Sequence, residues 1–207
     1  MKQDPRGARG QAESRSRKVV ISSGHMIDRP GREAPRFPPG KEGAARQGIE
    51  RQLDRWGVGE GDLAICGGAQ GADIIFAELC SGRGAEVWLF LPLGEEEFLE
   101  KSVRLPGGDW EERFHALRAR GNVRTFFPDE EPGEDAGGDS VFARNNERII
   151  DVALERAGEP QNLFAVLVWD ERETGDGPGG TSDFASRIRS SGAHLAIINP
   201  MELAQGE

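Results

Sequence analysis

The chain has 207 residues, with 36 acidic against 26 basic side chains and a formal net charge of −10, so it is long enough for one domain with a genuine core. Its acidity supplies no long-range attraction to nucleic acid or to an anionic membrane, and any anionic partner must be captured by local geometry. Two cysteines and three histidines, dispersed along the chain, supply neither a disulfide framework nor a zinc site, so no metal or cofactor is expected.

Residues 1–17, "MKQDPRGARGQAESRSR", hold almost nothing apolar and mix Gly, Pro, Ser and Arg, the composition of a disordered tail. One domain is expected over 18–207. Within it, apolar runs at 19–22, 63–66, 87–91, 123–126, 163–169 and 195–198 read as strands. Between them, apolar positions three or four apart predict helices over 41–56, 71–81, 95–102, 109–119, 141–157 and 181–191. Runs such as "EVWLFL" and "FAVLVW" are apolar at nearly every position, as strands covered on both faces must be. The expected fold is therefore α/β, a three-layer Rossmann-like arrangement around a mainly parallel sheet. No apolar stretch approaches the ~20 residues that span a bilayer, and no signal-peptide pattern opens the chain, so a soluble cytoplasmic protein is expected. Two loops, "RPGREAPRFPPG" at 29–40 and "PDEEPGEDAGGDS" at 128–140, exceed plain connections and are candidate lids. Trp88, Trp110, Trp169 and Phe114 read as packing residues.

Ligands of parallel sheets sit beyond the carboxyl ends of the strands. There, after the second strand, stands "ICGGAQGAD". Gly67, Gly68 and Gly71 bare the backbone at a helix entrance, so that the amides of Gly67, Gly68, Ala69, Gln70 and Gly71 can approach a phosphate. The same glycines would also serve a tight turn, with Asp73 complementing the helix dipole. The spacing matches neither GxxxxGK[ST] nor GxGxxG. A second bare entrance follows the fifth strand, "GPGGTSDF", where Gly179, Gly180, Thr181, Ser182 and Asp183 open a helix either as an anion site or as an ordinary N-cap. In "RNNERII", Arg144 is placed to neutralise a phosphate and Asn145 to read a base or ribose, or both belong to a solvated helix face. Ser22, Ser23, Gly24 and His25, ending the first strand, complete the set at the same edge, His25 being equally readable as a turn residue.

Together "GGAQGAD", "RNNERII" and "GPGGTSDF" resemble the SMF/DprA–LOG (SLOG) superfamily over about residues 18–200. The stretches "GHMIDRPGR" and "PRFPP" look like a branch found beside bacterial signalling modules. The resemblance implies binding of a nucleotide or nucleotide-derived molecule across the two glycine turns, and a homodimer. LOG-type phosphoribohydrolases carry PGGxGTxxE and an arginine on the preceding helix. Here Pro178, Gly179 and Gly180 match and Arg144 stands for the arginine, whereas the glutamate is absent. Loss of that acid points toward a sensor that signals to an effector protein or through oligomerisation. A nucleotide N-glycosidase, with Asp183 or Asp73 as working carboxylate beside Arg144, is the alternative. Single-stranded DNA binding needs a basic track and stacking aromatics, and is disfavoured.

Overall fold

The computed structural model describes residues 17–128, 138–172 and 180–204. The expected tail apart from Arg17, most of the acidic loop, and Gly179 lie outside the described residues.

Six strands, β1 (Val19–Gly24), β2 (Leu63–Cys66), β3 (Glu86–Phe90), β4 (Val123–Phe126), β5 (Leu163–Val168) and β6 (His194–Ile198), form one sheet in the order β4-β3-β2-β1-β5-β6. Every pairing is parallel. The helices between them are α1 (Glu42–Trp56), α2 (Ala72–Gly82), α3 (Glu95–Phe98), α4 (Trp110–Arg118), α5 (Gly138–Ala157) and α6 (Thr181–Ser191).

The near-continuous apolar strands are explained by how their residues divide. Val20, Ala64, Cys66, Val87, Leu89, Val166 and Val168 pack with α1, α2 and α4 on one face. Their alternates Val19, Ile21, Leu63, Ile65, Trp88, Phe90, Ala165 and Leu167 pack with Ile149, Ile150 and Ala153 of α5 and Phe184, Ala185 and Ile188 of α6 on the other. Side chains alternate in direction along a strand, so a sheet with helices on both faces needs apolar residues at both parities. The α/β three-layer expectation is met. Trp88, Trp110, Trp169 and Phe114 are all buried.

Two departures from the sequence reading bear on function. β1 does not stop at Ser22; it continues through Ser23 and Gly24 because those residues pair with Leu167 and Val168 of β5, whereas its pairing with β2 ends at Ile21. The helix expected over 95–102 is a single α turn that widens into a π turn at Leu99–Val103. Apolar spacing does not encode that change of hydrogen bonding.

From β1 the chain moves outward through β2, β3 and β4, then returns to lay β5 on β1's other side. Crossovers leaving in opposite directions part above the carboxyl ends of β1 and β5, and open a crevice there. Among the described residues no helix is long and apolar enough to cross a membrane.

Candidate functional site

The crevice holds a cavity of about 330 Å³ whose lining includes Ser23 and Gly24 of β1, Gly67, Ala69 and Asp73 of the first glycine turn, Asn145 of α5, and Gly180 and Thr181 at the start of α6. Both helix entrances, read separately in the sequence, border this one space. The volume falls in the lower part of the ~300–1,000 Å³ range of small-molecule sites.

The first turn is held from several sides. Gly71 has φ +87°, and a Cβ there would lie 2.8 Å from the His25 carbonyl and 2.9 Å from the Ile27 nitrogen, so a side chain is barred by both conformation and space. The Gln70 backbone N–H donates to the Ser102 carbonyl at 2.8 Å. Its side-chain amide grips Ile27 twice: Oε1 accepts from the Ile27 N–H and Nε2 donates to the Ile27 carbonyl, both at 3.0 Å. Gln70 is therefore a structural tie that faces a neighbouring cavity, and its amide is not available to a phosphate. A Cβ on Gly68 would meet Leu91 and Phe114, so that residue turns toward the core.

Asp73 differs from the turn residue expected. It is 8% exposed, and its carboxylate Oδ2 accepts from the Ala69 N–H at 3.3 Å, with the Gly67 and Gly68 amides near enough to favour the ionised form. A Cβ on Gly67 would come within 2.9 Å of that same oxygen. The other oxygen, Oδ1, is buried without a hydrogen-bond partner. Burial pushes the Asp73 carboxyl up to about 7, against the opposing pull of the amide hydrogen bonds. Beneath it the Cys66 thiol donates to the Asp73 carbonyl at 3.6 Å and is itself pushed up by burial.

Around the rest of the cavity, Asn145 is buried and its Nδ2 donates to the Phe90 carbonyl at 2.7 Å, which fixes α5 to the end of β3. At the α6 entrance the N-cap is Gly180, which has no side chain to cap the first amides, and amides at a helix start are donors suited to an anion. Lys101 and Ser102 enter from the π turn, and Pro92, Phe98 and Phe142 supply apolar wall. Among the described residues of the lining the ionic groups are one carboxyl, Asp73, and one ammonium, Lys101, the latter also 2.6 Å from exposed Glu97.

Several expected site residues stand elsewhere. Asp183 is exposed and lines a separate groove between α5 and α6 with Glu147 and Arg187. The geometry of the first helical turn explains this: Thr181 points in, and Asp183, two residues on, points out. Arg144 is exposed and Ser182 half-buried, and neither is in the cavity lining. Ser22 is buried behind the wall. His25 binds Asp170 through Nε2 at 2.9 Å, and Arg36 clasps the same carboxylate through Nε at 3.1 Å and Nη2 at 2.8 Å. Burial would raise the Asp170 carboxyl, but Arg36 and His25 outweigh it and hold it well below the usual carboxylate range. This cluster pins the 29–40 loop to the end of β5. With Phe37 fully buried, that loop is a wall and not an open lid.

The sequence reading missed Lys101, Ser102, Phe98 and Pro92. Pro92 follows the carboxyl end of β3 and was open to the strand-end rule. Lys101 and Ser102 depend on the π turn, Phe98 lies in the α turn before it, and none of the three carries a motif.

No protein-family model and no curated protein matches the chain. Among solved structures it is similar to DNA processing protein A (DprA) from Streptococcus pneumoniae, at 15% identity and a TM-score of 0.39, over 91% of this chain and 62% of that one. It is also similar to a Moco carrier protein from Chlamydomonas reinhardtii, at 14% identity and a TM-score of 0.33, over 89% of this chain and 91% of that one. The chain spans less than two thirds of the DprA chain.

Proposed function

We propose that the crevice binds a nucleotide or nucleotide-derived signalling molecule, and that the chain is a sensor or regulatory module. The observation that carries this reading is the meeting of two helix entrances, α2 through Gly67 and Ala69 and α6 through Gly180 and Thr181, on one cavity at the point where the sheet's crossovers part. The resemblance of the glycine turns to the SLOG superfamily supports the same ligand class. In this reading the α6 amides and Lys101 take the ligand's anionic group, Asn145 orients its polar end, and Phe98, Pro92 and Phe142 cover its apolar face. The output passes to an effector protein or through association of copies, as the resemblance implies. Titration calorimetry with nucleoside monophosphates, ADP-ribose and cyclic dinucleotides is the test. Heat of binding from at least one, abolished by Thr181→Trp filling the cavity, is the expected result, and silence across the panel in both calorimetry and thermal shift overturns it.

A second reading has its own observation. Asp73 is a buried carboxyl at the cavity wall, pushed up to about 7, which suits a general acid or base near neutral pH. N-glycosidic hydrolysis of a nucleotide would use Asp73, since Asp183 lines a different groove. Free base released from a nucleoside monophosphate, and lost in Asp73→Asn, supports the enzyme; intact substrate at high protein concentration overturns it.

A further inference from the structure

A bare turn at a helix entrance attracts an anion, and in this chain a carboxyl already occupies that place. The Ala69 amide bonds the carboxyl of Asp73, four residues further along the chain, and the amides of Gly67 and Gly68 stand near enough to favour its ionised form. Gly67 has no side chain in the gap that Oδ2 fills, where a Cβ would be only 2.9 Å away. A phosphate entering this nest would have to displace the carboxylate or share its place. Two anions in one set of amides repel, and that repulsion is strong where water is scarce.

The other oxygen shows what the turn offers instead. Oδ1 is buried with no hydrogen-bond partner, and Asp73, 8% exposed, lines the cavity. A carboxyl at a cavity wall with hydrogen-bonding capacity unused is matched by a donor on whatever fills the cavity. Across the space, the start of α6 at Gly180 and Thr181, where the N-cap glycine has no side chain, stands with Lys101 as the positive side of the cavity among the described residues.

We propose that Asp73 is an internal substitute for a ligand phosphate, so that the first glycine turn receives a ligand hydroxyl or N–H on the Asp73 carboxyl while the ligand's anionic group lies at the α6 entrance. The cavity therefore takes a molecule with a donor group, such as a ribose diol or a base N–H, at one end and its phosphate at the other. The orientation rests on the nucleotide reading above; the filled nest does not.

The experiment separates the two. Amide ¹H–¹⁵N shifts are followed at pH 8 during titration with inorganic phosphate, in the wild type and in Asp73→Ala. In the wild type, Thr181 and Ser182 should move while Gly67, Gly68 and Ala69 stay still. In Asp73→Ala, where the nest is emptied, those three amides should begin to move with phosphate. Wild-type movement at Gly67, Gly68 and Ala69, no response there in Asp73→Ala, or no response at Thr181, each overturns the proposal. Asp73→Asn keeps the side chain's shape, and guards against a folding defect: it should leave the nest closed to phosphate. Calorimetry with AMP and its 2′,3′-dideoxy analogue then identifies the donor. Roughly tenfold weaker AMP binding in Asp73→Ala is expected for loss of a charge-assisted hydrogen bond. The dideoxy analogue suffers the same loss already in the wild type if the donor is a hydroxyl, and none if it is a base N–H. Undiminished AMP binding by Asp73→Ala overturns the contact. If no nucleotide binds the wild type, the nucleotide reading fails while the phosphate shifts still decide whether the nest is filled.

Discussion

Asp73 is the residue whose chemistry is most altered by its place in the fold. Its carboxyl is pushed from the ordinary ~4 up to about 7 by burial, so between those values the folded chain binds a proton that the unfolded chain does not. Stability therefore falls as pH rises from about 4 to 7 and is level above. Asp73→Asn removes the ionisation and should flatten that slope, with a gain on the order of 2 kcal/mol at pH 8. Urea denaturation of both proteins at pH 5 and pH 8 measures it, and parallel pH profiles would contradict the assigned environment. Cys66 and Cys80 are both fully buried, and burial pushes both thiols up. Neither should react with iodoacetamide at pH 7.5 until denaturant is added, a result that mass spectrometry reads directly. At this scale the sequence was partly legible: it placed Asp73 beside the turn, but nothing in "GGAQGAD" distinguishes a carboxylate facing solvent at a helix start from one folded back into the turn's own amides.

Among the elements, the 29–40 loop was legible as unusual and not as fixed. Its anchors are Phe37, buried in the core, the Asp28 carboxylate accepting the Arg36 and Phe37 amides at 2.9 Å, and the Arg36–Asp170 pair. No local pattern links Arg36 with a carboxylate 134 positions away. Arg36→Ala would leave Asp170 buried without its cation and should cost about 3–5 kcal/mol; urea denaturation measures this. Because the folded Asp170 carboxyl is held below its unfolded value, its contribution is complete above pH ~4 and is lost as the pH falls below. Destabilisation by Arg36→Ala should accordingly shrink in acid. Helices and strands were more readable, since burial on both sheet faces forces apolar residues into periodic positions. The π turn at Leu99–Val103 was not readable, and with it went Lys101 and Ser102.

For the molecule as a whole, a net charge of −10 and the proposed anion-binding cavity act in opposite directions over different distances. The global field repels an anionic ligand out to a Debye length, ~8–10 Å at physiological salt, whereas the α6 amides attract it only at contact. Raising NaCl from 50 to 300 mM should thus leave nucleotide affinity unchanged or slightly improved. A steep loss, as seen when basic tracks release counterions from nucleic acid, would point to a different mode of capture. The architecture itself was legible because alternating strand and helix patterns permit few topologies. Which two crossovers face each other across β1 and β5 depends on strand order, and that order is settled by packing over the whole chain.

Gln70 holds Ile27 by both faces of one peptide-like amide while its own N–H holds Ser102. A glycine turn, a surface wall and a π turn are thereby riveted at a single side chain, like three plates on one pin. Their amide protons should exchange with solvent in a single cooperative opening, and Gln70→Ala should release Ile27 first, a sequence that hydrogen–deuterium exchange can follow residue by residue.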